Sequence, residues 1–77
     1  MKADQTLDCI GLYCPMPIVK TATKLKELKV GEVLEVLSDD AGIKQDMPAW
    51  CETTGHKCLA MVEEGEEIKF YVKKTHD

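Results

Sequence analysis

The chain contains no arginine. Its ten basic residues are all lysines, opposed by fourteen acidic ones, and the net charge is −4. No basic run is longer than Lys73-Lys74. Autonomous nucleic-acid binding normally shows a basic surplus and arginine contacts to phosphate and guanine, so no direct nucleic-acid partner is expected. No apolar run approaches the roughly 20 residues that a membrane span needs. The opening stretch, Met1-Lys2-Ala3-Asp4-Gln5, is polar and lacks a signal-peptide core. A cytoplasmic protein with no membrane partner is expected. In that compartment four cysteines are thiols, ligands or redox groups rather than a disulfide framework. No close Cys-x2-Cys pair is present: the spacings are Cys9-x4-Cys14 and Cys51-x6-Cys58. A zinc site that also uses His56 is therefore disfavoured, and no metal or cofactor is expected. The chain shows no repeat, linker or low-complexity segment, and its 77 residues make one domain, 1–77, with a core of marginal size.

What the chain does contain is a regular alternation of strand and helix signals. Thr6 to Ile10 is short, apolar and β-branched, and Gly11 ends it. From Pro17, the apolar residues Ile18, Ala22, Leu25 and Leu28 recur at helical spacing, with lysines largely off that stripe. Lys29 suits the last turn and Gly31 supplies the stop. Glu32 to Ser38 reads as a second strand, with Leu34 and Val36 on one face. Asp39 or Asp40 caps a second helix bearing Ile43, Met47, Trp50 and Cys51, which Pro48 is expected to kink or split before Gly55 ends it. His56 to Glu63 and Glu66 to Lys73 form a hairpin about Glu64-Gly65. Ile68, Phe70 and Val72 of that last strand face inward.

Strands joined through a helix run parallel, and strands joined by a tight turn run antiparallel. The order β-α-β-α-β-β therefore predicts an α/β two-layer sandwich, with one mixed four-stranded sheet and both helices on one face. An edge of the fourth strand is expected to be exposed.

The stretch with most chemistry is Cys14-Pro15-Met16-Pro17. Proline favours the first helical position, and the residue before a proline is pushed out of the helical region. Cys14 is thereby predicted at the N-cap, facing the positive end of the helix dipole. Such a place stabilises a thiolate, the reactive form of cysteine. Pro15 and Pro17 stiffen the turn, and Gly11 gives the loop its freedom.

Lys20, one turn into the helix, either lowers the Cys14 pKa or stands as a solvated lysine. Asp8 is a loop hydrogen-bonding group rather than an acid catalyst, since a nearby carboxylate would raise the thiol pKa. Cys9 is open to two readings, an inward-packed strand residue or a thiol that resolves Cys14 by forming a disulfide. Cys51 and Trp50 read as core, and Cys58 as core or half-exposed.

In its surroundings this stretch resembles the TusA/SirA-like family of sulfurtransferases. The resemblance is carried by Leu7-Asp8, Gly11-Leu12-x-Cys14-Pro15-x-Pro17, Gly31-Glu32, Ser38-Asp39-Asp40, Asp46-Met47-Pro48-Ala49-Trp50-Cys51 and Gly55-His56, from about Leu7 to Lys73. It implies the β-α-β-α-β-β sandwich and a sulfur carrier whose Cys14 holds sulfane sulfur as a persulfide. It also implies a sulfur-donor protein, of the cysteine desulfurase or rhodanese-like kind, and a sulfur-acceptor protein. Family members feed tRNA thiolation, molybdenum-cofactor enzymes or sulfur oxidation. Such a protein is a substrate in a relay more than a standalone catalyst, a sulfurtransferase-type carrier if enzymatic. The competing class is a thiol-redox or regulatory interaction module that uses Cys9 and Cys14 without sulfur transfer.

Overall fold

The computed structural model describes residues 3–13 and 16–76. The elements are β1 (Gln5–Asp8), α1 (Met16–Leu25), β2 (Val33–Ser38), α2 (Ile43–Thr54), β3 (Lys57–Glu64) and β4 (Glu67–Lys73). The order is the β-α-β-α-β-β read from the sequence. One four-stranded sheet runs β1-β2-β4-β3. β1 and β2 are parallel, and β4 is antiparallel to both β2 and β3. The sheet is mixed, as expected.

Period-2 patterning decides which face of the sheet is dry. Leu34 and Val36 on β2, with Ile68, Phe70 and Val72 on β4, are all buried. Against them pack Leu25 and Leu28 from the α1 region and Ile43, Met47 and Cys51 from α2. Both helices therefore cover the same face and the opposite face carries no helix. On that open face Glu35 joins three strands. Its carboxylate accepts from the Tyr71 hydroxyl at 2.6 Å and from the Thr6 hydroxyl at 3.2 Å. Tyr71 is held almost out of solvent there, and its hydroxyl is pushed to a higher pKa, chiefly by the bond to Glu35.

The structure corrects several boundaries. The first strand ends at Asp8, not Ile10, because the Asp8 carboxylate accepts from the Ile10 N–H at 2.9 Å and turns the chain. α1 stops at Leu25, and the chain continues to Leu28 in tighter turns in which the Glu27 and Leu28 N–H groups reach back three residues. Pro48 neither splits nor ends α2, which is one helix of 12 residues. Pro48 is on its exposed side, and Met47 and Cys51 hold the other side in the core. Asp40 does not cap α2 at the N-cap position, which Gly42 takes. Its carboxylate instead accepts from the Gly42 N–H at 3.0 Å, in the turn before the helix. Gly55 closes α2 with φ 86° and donates its N–H to the Cys51 carbonyl at 2.8 Å, a conformation that favours glycine. The expected exposed edge of the fourth strand is absent, since β4 lies between β2 and β3, and the sheet edges are β1 and β3.

Candidate functional site

The loop between β1 and α1 is tied to the fold at three described points. Gly11 has φ 85° and donates its N–H to the Asp39 carboxylate at 3.0 Å, which fastens the loop to the residue just after β2. The Leu12 N–H donates to the Cys9 carbonyl at 3.1 Å, and the Leu12 side chain packs on the core. Tyr13 and Met16 are the described residues on either side of Cys14 and Pro15. The Met16 N–H donates to the Tyr13 carbonyl at 2.8 Å. Cys14 and Pro15, with the expected N-cap placement of Cys14, lie outside the described residues.

Past the loop, α1 is anchored by its own first turn. Pro17 is buried, and its carbonyl accepts from the buried Thr21 hydroxyl at 2.7 Å. Pro17, Thr21 and Leu25, each four residues from the next, make the buried stripe of α1. The first turn holds no acidic residue, so no carboxylate there opposes the positive end of the helix dipole.

The surface beside Cys14 in sequence is unusually apolar. Ile10, Tyr13, Met16 and Val19 are all exposed, Tyr13 at 75%. Met16 and Val19 line a shallow groove of about 280 Å³ with Leu7, Lys20 and Lys24. Glu27 also lines the groove and pairs with Lys24 at 3.6 Å, so the apolar floor is bordered by Lys20 and a Lys24–Glu27 ion pair.

Cys9 belongs to the core, with no exposed surface. Burial pushes its thiol pKa up, Asp8 adds to the rise, and Lys20 opposes it. A buried thiol with a raised pKa has little thiolate and little access, so Cys9 is a packing residue before it is a nucleophile. Lys20 is exposed on α1, near enough for its charge to act on Cys9.

Of the expected site residues, Gly11, Pro17 and Lys20 therefore surround the loop and the start of α1, and Cys9 lies beneath them. Sequence reasoning missed the part played by Asp39. The sequence offers Asp39 or Asp40 as a helix cap, and the Asp39 carboxylate instead holds Gly11, 28 residues away. The only hint was a second aspartate beside Asp40, one more than a single turn needs. Among the described residues no group of three or more histidines, cysteines or carboxylates is placed to hold a metal ion.

The family described as Sulfurtransferase TusA matches residues 5–74. This chain belongs to that family. Among its relatives is the putative sulfur carrier protein YrkI of Bacillus subtilis, 46% identical over 74 residues, which cover 96% of this chain and 99% of that protein. The putative sulfur carrier protein YrkF of the same organism is 49% identical, but the match spans only 40% of its length. The sulfur carrier protein TusA of Allochromatium vinosum is 38% identical, over 94% of this chain and 95% of its own. The fold agrees as well. The crystal structure of a SirA-like protein from Desulfitobacterium hafniense superposes with a TM-score of 0.80 at 24% identity, covering 94% of this chain and 99% of its own. In this TusA-family chain the loop from Cys9 to Tyr13 and the first turn of α1 make the candidate site. No helix among the described residues is long and apolar enough to cross a membrane.

Proposed function

We propose that this chain is a cytoplasmic sulfur carrier, with residues 1–77 as one carrier domain. Cys14 accepts a sulfane sulfur and passes it to a partner protein. The observation that supports the reading is that, in a chain of this family, the stretch Cys14-Pro15-Met16-Pro17 follows in sequence the loop tied down by Asp39 and runs into the first two residues of α1.

The chemistry is nucleophilic exchange at sulfur. The Cys14 thiolate attacks the outer sulfur of a donor persulfide R–S–SH. A new S–S bond forms, the donor S–S bond breaks, and RS⁻ leaves with Cys14–S–SH in its place. An acceptor thiolate then attacks the outer sulfur of that persulfide and regenerates the Cys14 thiolate. No electrons are gained or lost overall, so neither cofactor nor metal is required. The positive end of α1 favours an anion at its N-terminal side, for thiolate and persulfide alike. Pro15 and Pro17 stiffen the segment, Gly11 allows the loop its path, and Lys20 adds positive charge one turn on. The donor is a persulfide-bearing protein of the cysteine desulfurase or rhodanese-like kind, and the acceptor is a protein thiol in a sulfur relay. The exposed Tyr13, Met16 and Val19 offer apolar contact to both.

Intact-protein mass spectrometry after exposure to polysulfide tests this. A gain of one sulfur (~32 Da) that survives Cys9→Ser and vanishes in Cys14→Ser is expected. Retained loading in Cys14→Ser overturns the proposal. A loss of about two protons (~2 Da) that needs both Cys9 and Cys14 also overturns it, in favour of a thiol-redox pair.

A further inference from the structure

The chain has two histidines, His56 and His76, on opposite sides of the β3–β4 hairpin in sequence. The fold brings them face to face. Their rings stack with centroids 4.3 Å apart and planes within 6°. Trp50 of α2 also stacks on His56, with centroids 5.7 Å apart. The segment Thr75–His76 lies across the C-terminal end of α2, held there by hydrogen bonds. The Thr75 hydroxyl donates to the Gly55 carbonyl at 2.7 Å. The Thr75 N–H donates to His56 Nδ1 at 3.3 Å. His76 Nε2 lies 2.6 Å from the Thr54 carbonyl.

Two of these bonds specify where the protons are. A carbonyl only accepts, so His76 carries its proton on Nε2. A backbone N–H only donates, so His56 Nδ1 must be bare. A neutral imidazole with its proton on Nε2 meets that demand, and an imidazolium does not. Protonation at Nδ1 converts the acceptor to a donor facing another donor. It also places a cation against the His76 ring.

The groups around His56 reinforce the preference. Lys74 and His76 face it from the C-terminal segment, and Lys26, just past the end of α1, lines the adjoining cavity of about 370 Å³. α2 contributes Trp50 and Thr54 to that cavity, and Lys57 follows His56 into β3. No carboxylate is among the described residues lining it. We propose that the His56–His76 stack is a proton-operated clasp, which holds Thr75–His76 on the end of α2 at neutral pH and releases it on acidification.

The titration has the matching sign. Burial first, then His76 and Lys74, push His56 below its ordinary 6.5. A base whose pKa is lowered by docking stabilises the docked form above the ordinary value. That stabilisation is lost as pH falls from 6.5 through the docked value. Release opens the cavity wall that His76 supplies and alters the ring stacked with Trp50. The clasp is independent of the sulfur chemistry at Cys14.

Imidazole NMR titration of the full chain, with Thr75 amide exchange and Trp50 fluorescence across the same pH series, tests the proposal. His56 is expected to titrate below 6.5. Thr75 exchange, corrected for its intrinsic pH dependence, should accelerate as pH falls from 6.5 toward that midpoint. Docking weakens about tenfold for each pH unit between the docked and undocked His56 values. His56→Gln keeps an oxygen acceptor for the Thr75 N–H and cannot protonate, so its exchange should not respond. His76→Ala should move the His56 midpoint up toward its ordinary value. Thr75 protection that is unchanged through the His56 titration overturns the clasp. So does the same acid response in His56→Gln, or an unmoved midpoint in His76→Ala.

Discussion

Cys51 shows how little of a thiol's behaviour resides in the residue itself. It sits in the core at 3% exposure. Burial first, and then the neighbouring Cys58, push its pKa from 9.0 up to about 12. The folded value lies above the unfolded one, so its contribution is fully present below pH 9 and is lost as pH rises from 9.0 toward 12. The loss is at most roughly 4 kcal/mol. Denaturant unfolding at increasing alkaline pH should show this decline, and Cys51→Ala should flatten it while lowering stability at neutral pH. Lys74 makes the parallel case for a cation. It is buried, and its Nζ donates to the Leu28 carbonyl at 2.7 Å, where the chain leaves the α1 region. Lys74→Met keeps the aliphatic stem and removes that donor. An expected cost of about 1–3 kcal/mol follows from the buried carbonyl left behind, and urea titration of the variant measures it.

At the scale of elements, the helices and strands follow from short-range patterns, and their ends from single side chains. Pro48 is the clearest conflict between the two. Six residues into α2, it removes the N–H that would bond the Lys44 carbonyl, yet α2 runs on to Thr54. Burial of Ile43, Met47 and Cys51 on the opposite side outweighs the local cost. Pro48→Ala should restore the missing bond and stabilise by roughly 1 kcal/mol, since the added unfolded-state freedom offsets part of the gain. Thermal unfolding reports the sign. Asp39 works between elements. Asp39→Ala frees the Gly11 N–H and should cost no more than about 1 kcal/mol of stability, as an exposed bond does. Sulfur loading at Cys14 should slow severalfold, because the loop loses its tie, and Asp39→Asn, which keeps the acceptor oxygen, should restore it. Unchanged loading kinetics in Asp39→Ala would remove Asp39 from a positioning role.

At the scale of the whole molecule, stability depends on β4. It is paired on both sides, and its Ile68, Phe70 and Val72 form the middle of the dry face. A chain of 77 residues has little reserve. Phe70→Ala should therefore cost roughly 3–5 kcal/mol, a large share of the whole, and leave a chain largely unfolded at physiological temperature by circular dichroism.

The β-α-β-α-β-β order and the inward faces of β2 and β4 were legible in the sequence. Each depends on neighbours a few residues apart: period-2 or helical spacing, a proline at a helix start, a glycine at a helix end. Which strand is an edge was not legible, because β4 inserts between β2 and β3 by pairing with β2 across 30 residues or more. Nor was the tie from Asp39 to Gly11, the bond from Lys74 to Leu28 across 46 residues, or the stack of His56 on His76. An aspartate, a lysine or a histidine looks the same in sequence whether it meets water or a distant backbone group. Only chain closure in three dimensions chooses the partner, and here that choice sets the tie of the loop before α1, the burial of Cys9 and the downward shift of the His56 pKa.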